Sequence, residues 1–170
     1  MTHPVKHTLN MADSLALATA LAQAKQPADV YRAVEQLVAG GPGAKLFTLL
    51  VLTHDGQAVQ RVYSSDEKTY PLAGQKRMGP TPWGGLVLTR RENFLGRNAD
   101  DIRWAFPDHA LIASLGLASA INIPIVAMGR VLGTLNVLDV AGHYSESDVQ
   151  FMQAISPVLA VPYLRELGAF

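Results

Sequence analysis

Two asparagines, Asn122 and Asn136, interrupt apolar runs, Ala118–Met128 and Val131–Val140, that meet at Gly129-Arg130. In an extended chain the side chains alternate, so Asn122 lies with Ala120, opposite Ile121, Ile123 and Ile125. Asn136 lies with Thr134 and Leu138, opposite Leu135 and Val137. With helices over the Ile/Leu/Val side, both amides point into whatever covers the other face. A buried carboxamide needs partners for two N–H donors and one oxygen. A ligand could supply them, and so could nearby loop backbone.

Other candidates lie in irregular segments. Trp83, Trp104 and Phe106 could wall a pocket and stack on a planar ligand, or could simply plug a loop onto a sheet. Tyr63 and Arg61 share one face of a strand, where they could meet an anion; an exposed edge is the alternative. Asp100 and Asp101 suit a helix cap or a polar ligand. The histidines are scattered: His54, His109 and His143 on separate elements, His3 and His7 in an N-terminal tail. None has metal-ligand spacing, and only His109 qualifies as a candidate axial haem ligand, with a surface role as its alternative. Cysteine is absent, which removes disulfides, thiolate metal sites, thioether-linked pigment and any cysteine nucleophile. No Ser/His/Asp set, phosphate loop or paired-carboxylate pattern is present to carry catalysis.

Composition sets the frame for these residues. The 170 residues are 49% hydrophobic and 16% charged, enough for one folded domain over residues 1–170 and too apolar for disorder. Lys plus Arg equals Asp plus Glu, 14 each, which argues against a nucleic-acid or anionic-lipid partner. No apolar run approaches about 18 residues, so no membrane span is expected. The start lacks a basic segment followed by a long apolar run, so no secretory signal is expected either. A small soluble cytoplasmic domain is the expectation.

The elements that must position the candidates follow from periodicity. After a tail over 1–10, apolar residues at helical spacing predict helices over 11–39, with Asn10 or Asp13 as the first cap and Gly40-Gly41-Pro42-Gly43 as the stop. Lys45–Thr53 reads as a buried strand, and Asp55-Gly56 turns it into Ala58–Ser64, an edge strand with Val59, Arg61 and Tyr63 on one side. Ser65–Pro82 is mostly loop, Trp83–Arg91 a short helix and Asn93–Leu95 a brief strand. Gly96–Pro107 is loop, and Asp108 caps a short helix closed by Gly116. A second hairpin follows, and then a C-terminal helix over 145–168. Ser145 and Asp148 form a variant capping box at its start, and Pro157 and Pro162 kink or end it. This order is α+β with an antiparallel sheet.

The second half is more specific than its elements. Ser114-Leu-Gly-Leu-Ala-Ser119, Ile121-Asn-Ile-Pro-Ile125, Gly129-Arg-Val-Leu-Gly-Thr-Leu-Asn136 and Tyr144-Ser-Glu-Ser-Asp148 run in close succession. This succession resembles the C-terminal half of the GAF domain family. Trp83-Gly84-Gly85-Leu86-Val87 followed by Glu92-Asn93-Phe94 resembles its short-helix-then-strand step. The resemblance covers roughly residues 27 to 165.

It implies a central antiparallel sheet with the N- and C-terminal helices on one face and an irregular roof on the other. A small-molecule pocket would lie between sheet and roof, and the terminal helices would form a homodimer surface. The family's methionine sulfoxide reductases work through cysteines and acidic pocket groups. This chain has no cysteine, and has Ala120, Asn136 and Leu138 on the pocket strands. Asn93-Phe94 and Asp100-Asp101 depart from the family's cyclic-nucleotide pattern. The resemblance therefore implies a sensory domain, not an enzyme, that binds an unknown small molecule. Ordering of the roof over Ser65–Pro82 and Gly96–Pro107 would be transmitted through the terminal helices to a protein partner. Two alternatives stand beside it: a ligand-free dimerisation or adaptor module, and a small enzyme of unrecognised chemistry in the same pocket.

Overall fold

A computed structural model of the chain describes residues 7–73 and 75–170. His3 of the expected tail lies outside them. Asn10 opens α1 (Met11–Gln23) through a reciprocal cap: its side chain accepts from the Asp13 N–H at 2.8 Å, and its own N–H donates to the Asp13 carboxylate at 3.1 Å. Pro27 at the first turn opens α2 (Pro27–Gly40), where Asp29 accepts the N–H groups of Lys25 and Gln26. These helices bury Leu17, Val30, Tyr31, Val34 and Val38 against the sheet.

The sheet has six strands in the order β3-β2-β1-β6-β5-β4, every pairing antiparallel. Its strands are β1 (Leu46–Leu52), β2 (Ala58–Ser64), β3 (Lys76–Arg77), β4 (Phe94–Gly96), β5 (Ser119–Ala127) and β6 (Arg130–Asp139). The Ala58–Ser64 strand is thus not the outermost one. The two-residue β3 pairs with its start, Ala58 opposite Arg77 and Val59 opposite Lys76. Met128 and Gly129, at φ 49° and 78°, make the tight turn between β5 and β6, the conformation a two-residue hairpin loop requires.

One sheet face carries Phe47, Leu49, Ile121, Ile123, Leu135 and Val137 against the helices. Burying side chains of this size stabilises by about 1.5–3 kcal/mol each. On that face the C-terminal helix runs as α6 (Glu146–Ile155), a 3₁₀ turn over Ser156–Leu159 and α7 (Ala160–Glu166), the break falling at Pro157 as expected. Tyr163 of α7 is fully buried, and its hydroxyl donates to the Thr134 carbonyl at 2.8 Å. The close approach needs Gly133: at φ 158°, a Cβ there would lie 1.9 Å from the Leu50 carbonyl oxygen and 2.8 Å from the Tyr163 ring.

The roof covers the other face. It contains α3 (Pro82–Gly84) continuing as a π-helical stretch over Gly85–Thr89, then α4 (Ala99–Ala105) and α5 (His109–Ser114). The Gly96–Pro107 segment is therefore not a simple loop. Asn98 caps α4 by accepting from the N–H groups of Asp100 and Asp101, both at 3.0 Å. Asp108, expected to cap α5, makes no cap hydrogen bond.

Candidate functional site

The cavity-facing residues are set by alternation along each strand and by one departure from it. On β1, Leu46, Thr48 and Leu50 face the roof, paired with Leu138, Asn136 and Thr134 of β6. Between β1 and β2 the register slips: Leu49 opposes Tyr63, but Leu50 opposes Arg61, leaving Val62 as an extra residue. A bulge of this kind reverses the parity of everything beyond it. Arg61 therefore lines the cavity, while Tyr63 lies on the helix side. Its ring centroid is 5.8 Å from that of Tyr31 and 5.9 Å from that of Phe47, and its hydroxyl donates to the Glu35 carboxylate. This corrects the expectation that Arg61 and Tyr63 share a face, and it removes Tyr63 from the cavity wall.

Between sheet and roof lies a cavity of about 280 Å³. Its apolar wall includes Leu46, Leu50, Leu138, Ala105, Phe106 and Ile112. Thr81 caps α3 by accepting from the Gly84 N–H at 2.9 Å, and Pro82 fills the first helical position. This local start aims Trp83 down at the sheet. Its indole Nε1–H donates to Asn122 Oδ1 at 2.8 Å, and Asn122 Nδ2 donates to Asn136 Oδ1 at 2.8 Å. Asn136 Nδ2 in turn reaches the Thr48 carbonyl at 3.3 Å and its hydroxyl at 3.4 Å. One polar chain thus crosses from the roof through β5 and β6 to β1. Both amides lie on the cavity face that alternation requires, and both find partners within the protein.

The other roof residues separate. Phe106 lines the cavity, 6.3 Å in centroid distance from Trp83. Trp104 does not: it is 49% exposed and stacks on Phe94 at 5.7 Å. The cause is helical. In α4, Ile102 and Ala105 share the inward face at a spacing of three, so Trp104 is carried outward. His109 is half-buried at the start of α5 and is not part of the cavity wall; Asp108 and Ile112 occupy that side. Among the described residues no histidine lines the cavity.

Positive charge on the cavity wall comes from the paired strands β2 and β3. Arg61, Lys76 and Arg77 line the cavity, with Asp108 as the one carboxylate. The Arg61 guanidinium carbon sits 5.0 Å from the Tyr70 ring centroid, and NH1 donates to the Pro71 carbonyl at 3.0 Å. Among the described residues its buried Nε–H has no partner. Burial lowers the Arg61 pKa, an effect that Tyr70 and Asp108 oppose. The Tyr70 hydroxyl donates to Asp108 Oδ2 at 2.9 Å. Burial first, and the Asp108 charge second, push that phenol's pKa upward. Asp108 thus holds Tyr70 and leaves the α5 N-terminus uncapped.

Thr48, Tyr70, Lys76 and Asp108 are cavity residues that sequence reasoning did not single out as a site. Thr48 was within reach, since it alternates with Phe47 and Leu49 along β1. Tyr70 and Lys76 lie in an irregular stretch with no periodic signal. Of the other histidines, two tie surface elements together: His54 Nε2 meets the Leu167 carbonyl at 2.7 Å, and His143 Nε2 meets that of Pro42 at 2.8 Å. Among the described residues no group of three or more metal-ligating side chains occurs, and no helix is long and apolar enough to cross a membrane.

Comparison with known proteins places this architecture. A family model described as GAF domain matches residues 26–161. No curated protein matches the chain in sequence. Among solved structures, the chain is similar to the GAF domain from a phosphoenolpyruvate-protein phosphotransferase of Coxiella burnetii (TM-score 0.72, 17% identity, 94% of this chain and 96% of that chain). It is also similar to the GAF domain of a two-component sensor histidine kinase from Bacillus halodurans (TM-score 0.70, 17% identity, 86% and 100%). A free methionine-R-sulfoxide reductase from Neisseria meningitidis, solved in complex with its substrate, is similar at TM-score 0.62 and 14% identity over 99% and 100%. At these identities the likeness concerns the fold.

Proposed function

The chain belongs to the GAF domain family, and on that premise we propose that it is a sensory or regulatory domain that binds a small molecule between sheet and roof. The observation that carries this reading is the cavity of about 280 Å³, which Trp83 and Phe106 wall without filling and from which Trp104 is turned away. GAF domains are typically sensory or regulatory modules of signalling proteins, and one structural neighbour is the GAF domain of a two-component sensor histidine kinase. The ligand acts by ordering the roof. The link from Trp83 to Asn122 joins the roof to the sheet, so a ligand beside it adds to a connection already spanning the cavity. The signal leaves through the terminal helices, which form a homodimer surface and contact a protein partner in the cytoplasm. Exposed Met11 and Leu15 on α1 and Val161 on α7 support that surface. The chain contains no cysteine, so thiol chemistry has no place in the proposal.

Native mass spectrometry of freshly purified protein, repeated after denaturation, tests the reading. A mass excess lost on denaturing is the expected result. A bare dimer at the sequence mass overturns tight retention and favours a second reading, a ligand-free dimerisation or adaptor module. That reading is supported by the amide chain itself, since Asn122 and Asn136 find partners within the protein.

A further inference from the structure

We infer that the ligand is a small organic carboxylate with an apolar body, held by Arg61 and Lys76. The inference rests on the small-molecule reading above and names the class that reading leaves open. The cavity wall is mixed. Leu46, Leu138, Ala105 and Ile112 offer apolar contact, and Arg61, Lys76 and Arg77 on the paired strands β2 and β3 supply positive charge. The chain as a whole has equal numbers of cationic and anionic residues, 14 each, so this grouping is a local arrangement.

Three observations turn it toward an anion. Among the described residues, Arg61, Lys76 and Arg77 form no ion pair, as Arg91, Arg130 and Arg165 also do not, but Arg61, Lys76 and Arg77 stand together on the cavity wall. The single carboxylate on the wall, Asp108, accepts the Tyr70 hydroxyl. Arg61 is half-buried, with one donor on the Pro71 carbonyl and a buried Nε–H that has no partner among the described residues. A half-buried guanidinium with no direct ion pair and an unused donor is costly even with Asp108 nearby, and an anionic ligand relieves that cost. The bulge at Val62 is the device that brings Arg61 to this face.

The amides add selectivity by exclusion. Asn122 and Asn136 are engaged with Trp83, with each other and with Thr48. A ligand amide that seeks these side chains competes with those bonds, whereas a carboxylate on Arg61 and Lys76 leaves them intact.

The test uses acetate, isovalerate and phenylacetate, their primary amides, and the amines with CH2NH2 in place of the carboxyl (ethylamine, isopentylamine and phenethylamine). The chain has two tryptophans, so the two indole N–H signals in a nitrogen-correlated NMR spectrum separate the outcomes. Trp83 lies at the cavity and exposed Trp104 is the internal control. The expected result is that isovalerate or phenylacetate moves the Trp83 signal alone. Affinity should fall about tenfold or more in Arg61→Gln, by loss of a charge-assisted hydrogen bond. It should be partly restored in Arg61→Lys. Lys76→Gln, an exposed change that does not threaten folding, should weaken the same acids. Amides or amines that match the acids at Trp83 would overturn the anion inference and leave the cavity reading standing. If no compound moves Trp83, the carboxylate inference falls. The cavity reading falls with it only if native mass spectrometry also finds the bare chain.

Discussion

The indole of Trp83 donates to the side-chain oxygen of Asn122 at 2.8 Å, across 39 residues of sequence. It is a buried bond between the roof and the sheet, and it is the first link of the chain that continues through Asn136 to Thr48. A buried polar chain of this kind stabilises only while every member is paired, because each freed atom then carries its full desolvation cost.

Trp83→Phe keeps an aromatic ring at the cavity wall and removes only the donor and part of the ring system. Asn122 Oδ1 is then left without its indole partner, and the expected cost is about 1–3 kcal/mol. Urea unfolding should show a lower midpoint with an unchanged slope. Trp83→Phe combined with Asn122→Leu should cost less than the sum of the two single changes, since the pair is removed together. Strict additivity would show that the bond does not couple roof and sheet.

Gly133→Ala tests the packing of β6 between β1 and α7. An added Cβ meets the Leu50 carbonyl oxygen at 1.9 Å, a backbone atom that cannot rotate away, and the glycine's φ of 158° is one that L side chains rarely adopt. Destabilisation of about 3 kcal/mol or more is expected, placing it among the severe single changes. A melting temperature within a few degrees of the parent would show that the sheet yields at this point.

Alkaline pH probes the tyrosines. Tyr31, Tyr63, Tyr70, Tyr144 and Tyr163 all have pKa values raised above 10.0, with burial as the leading cause in each. A raised folded-state value means the neutral phenol is favoured in the native protein. The stability this contributes is fully present below pH 10.0, the ordinary value, and is lost as pH rises beyond it. Tyrosinate absorbance should therefore appear together with loss of near-ultraviolet circular dichroism, not ahead of it. Ionisation of several tyrosines in a still-folded protein would contradict the buried placement.

Much of the frame was legible because it depends on local periodicity. The capping pairs at Asn10 with Asp13 and Ser145 with Asp148 involve groups within a few residues of each other. The break at Pro157 follows from a missing N–H. Alternation along β5 and β6 put Asn122 and Asn136 on one face opposite the isoleucines and leucines, because a strand's side-chain period is two wherever the ladder is regular. The helix over Ala99–Ala105 was missed, although Asn98 ahead of Asp100 and Asp101 is a cap signal. That omission also misdirected Trp104, which only the helical turn carries outward.

What the sequence by itself determined is therefore the α+β class, the terminal helices, the two hairpins and the face on which residues of the regular strands β5 and β6 stand. Those depend on neighbours a few positions away. Only the tertiary structure decided where the pattern breaks and which distant groups meet. The parity reversal at Val62 arises from how β2 pairs with β1 and moves Tyr63 to the helix side and Arg61 to the cavity. The bond from Trp83 to Asn122 and the pairing of Tyr70 with Asp108 join segments 39 and 38 residues apart. Such contacts exist only once the roof closes over the sheet, since loop closure brings together groups that no local spacing relates.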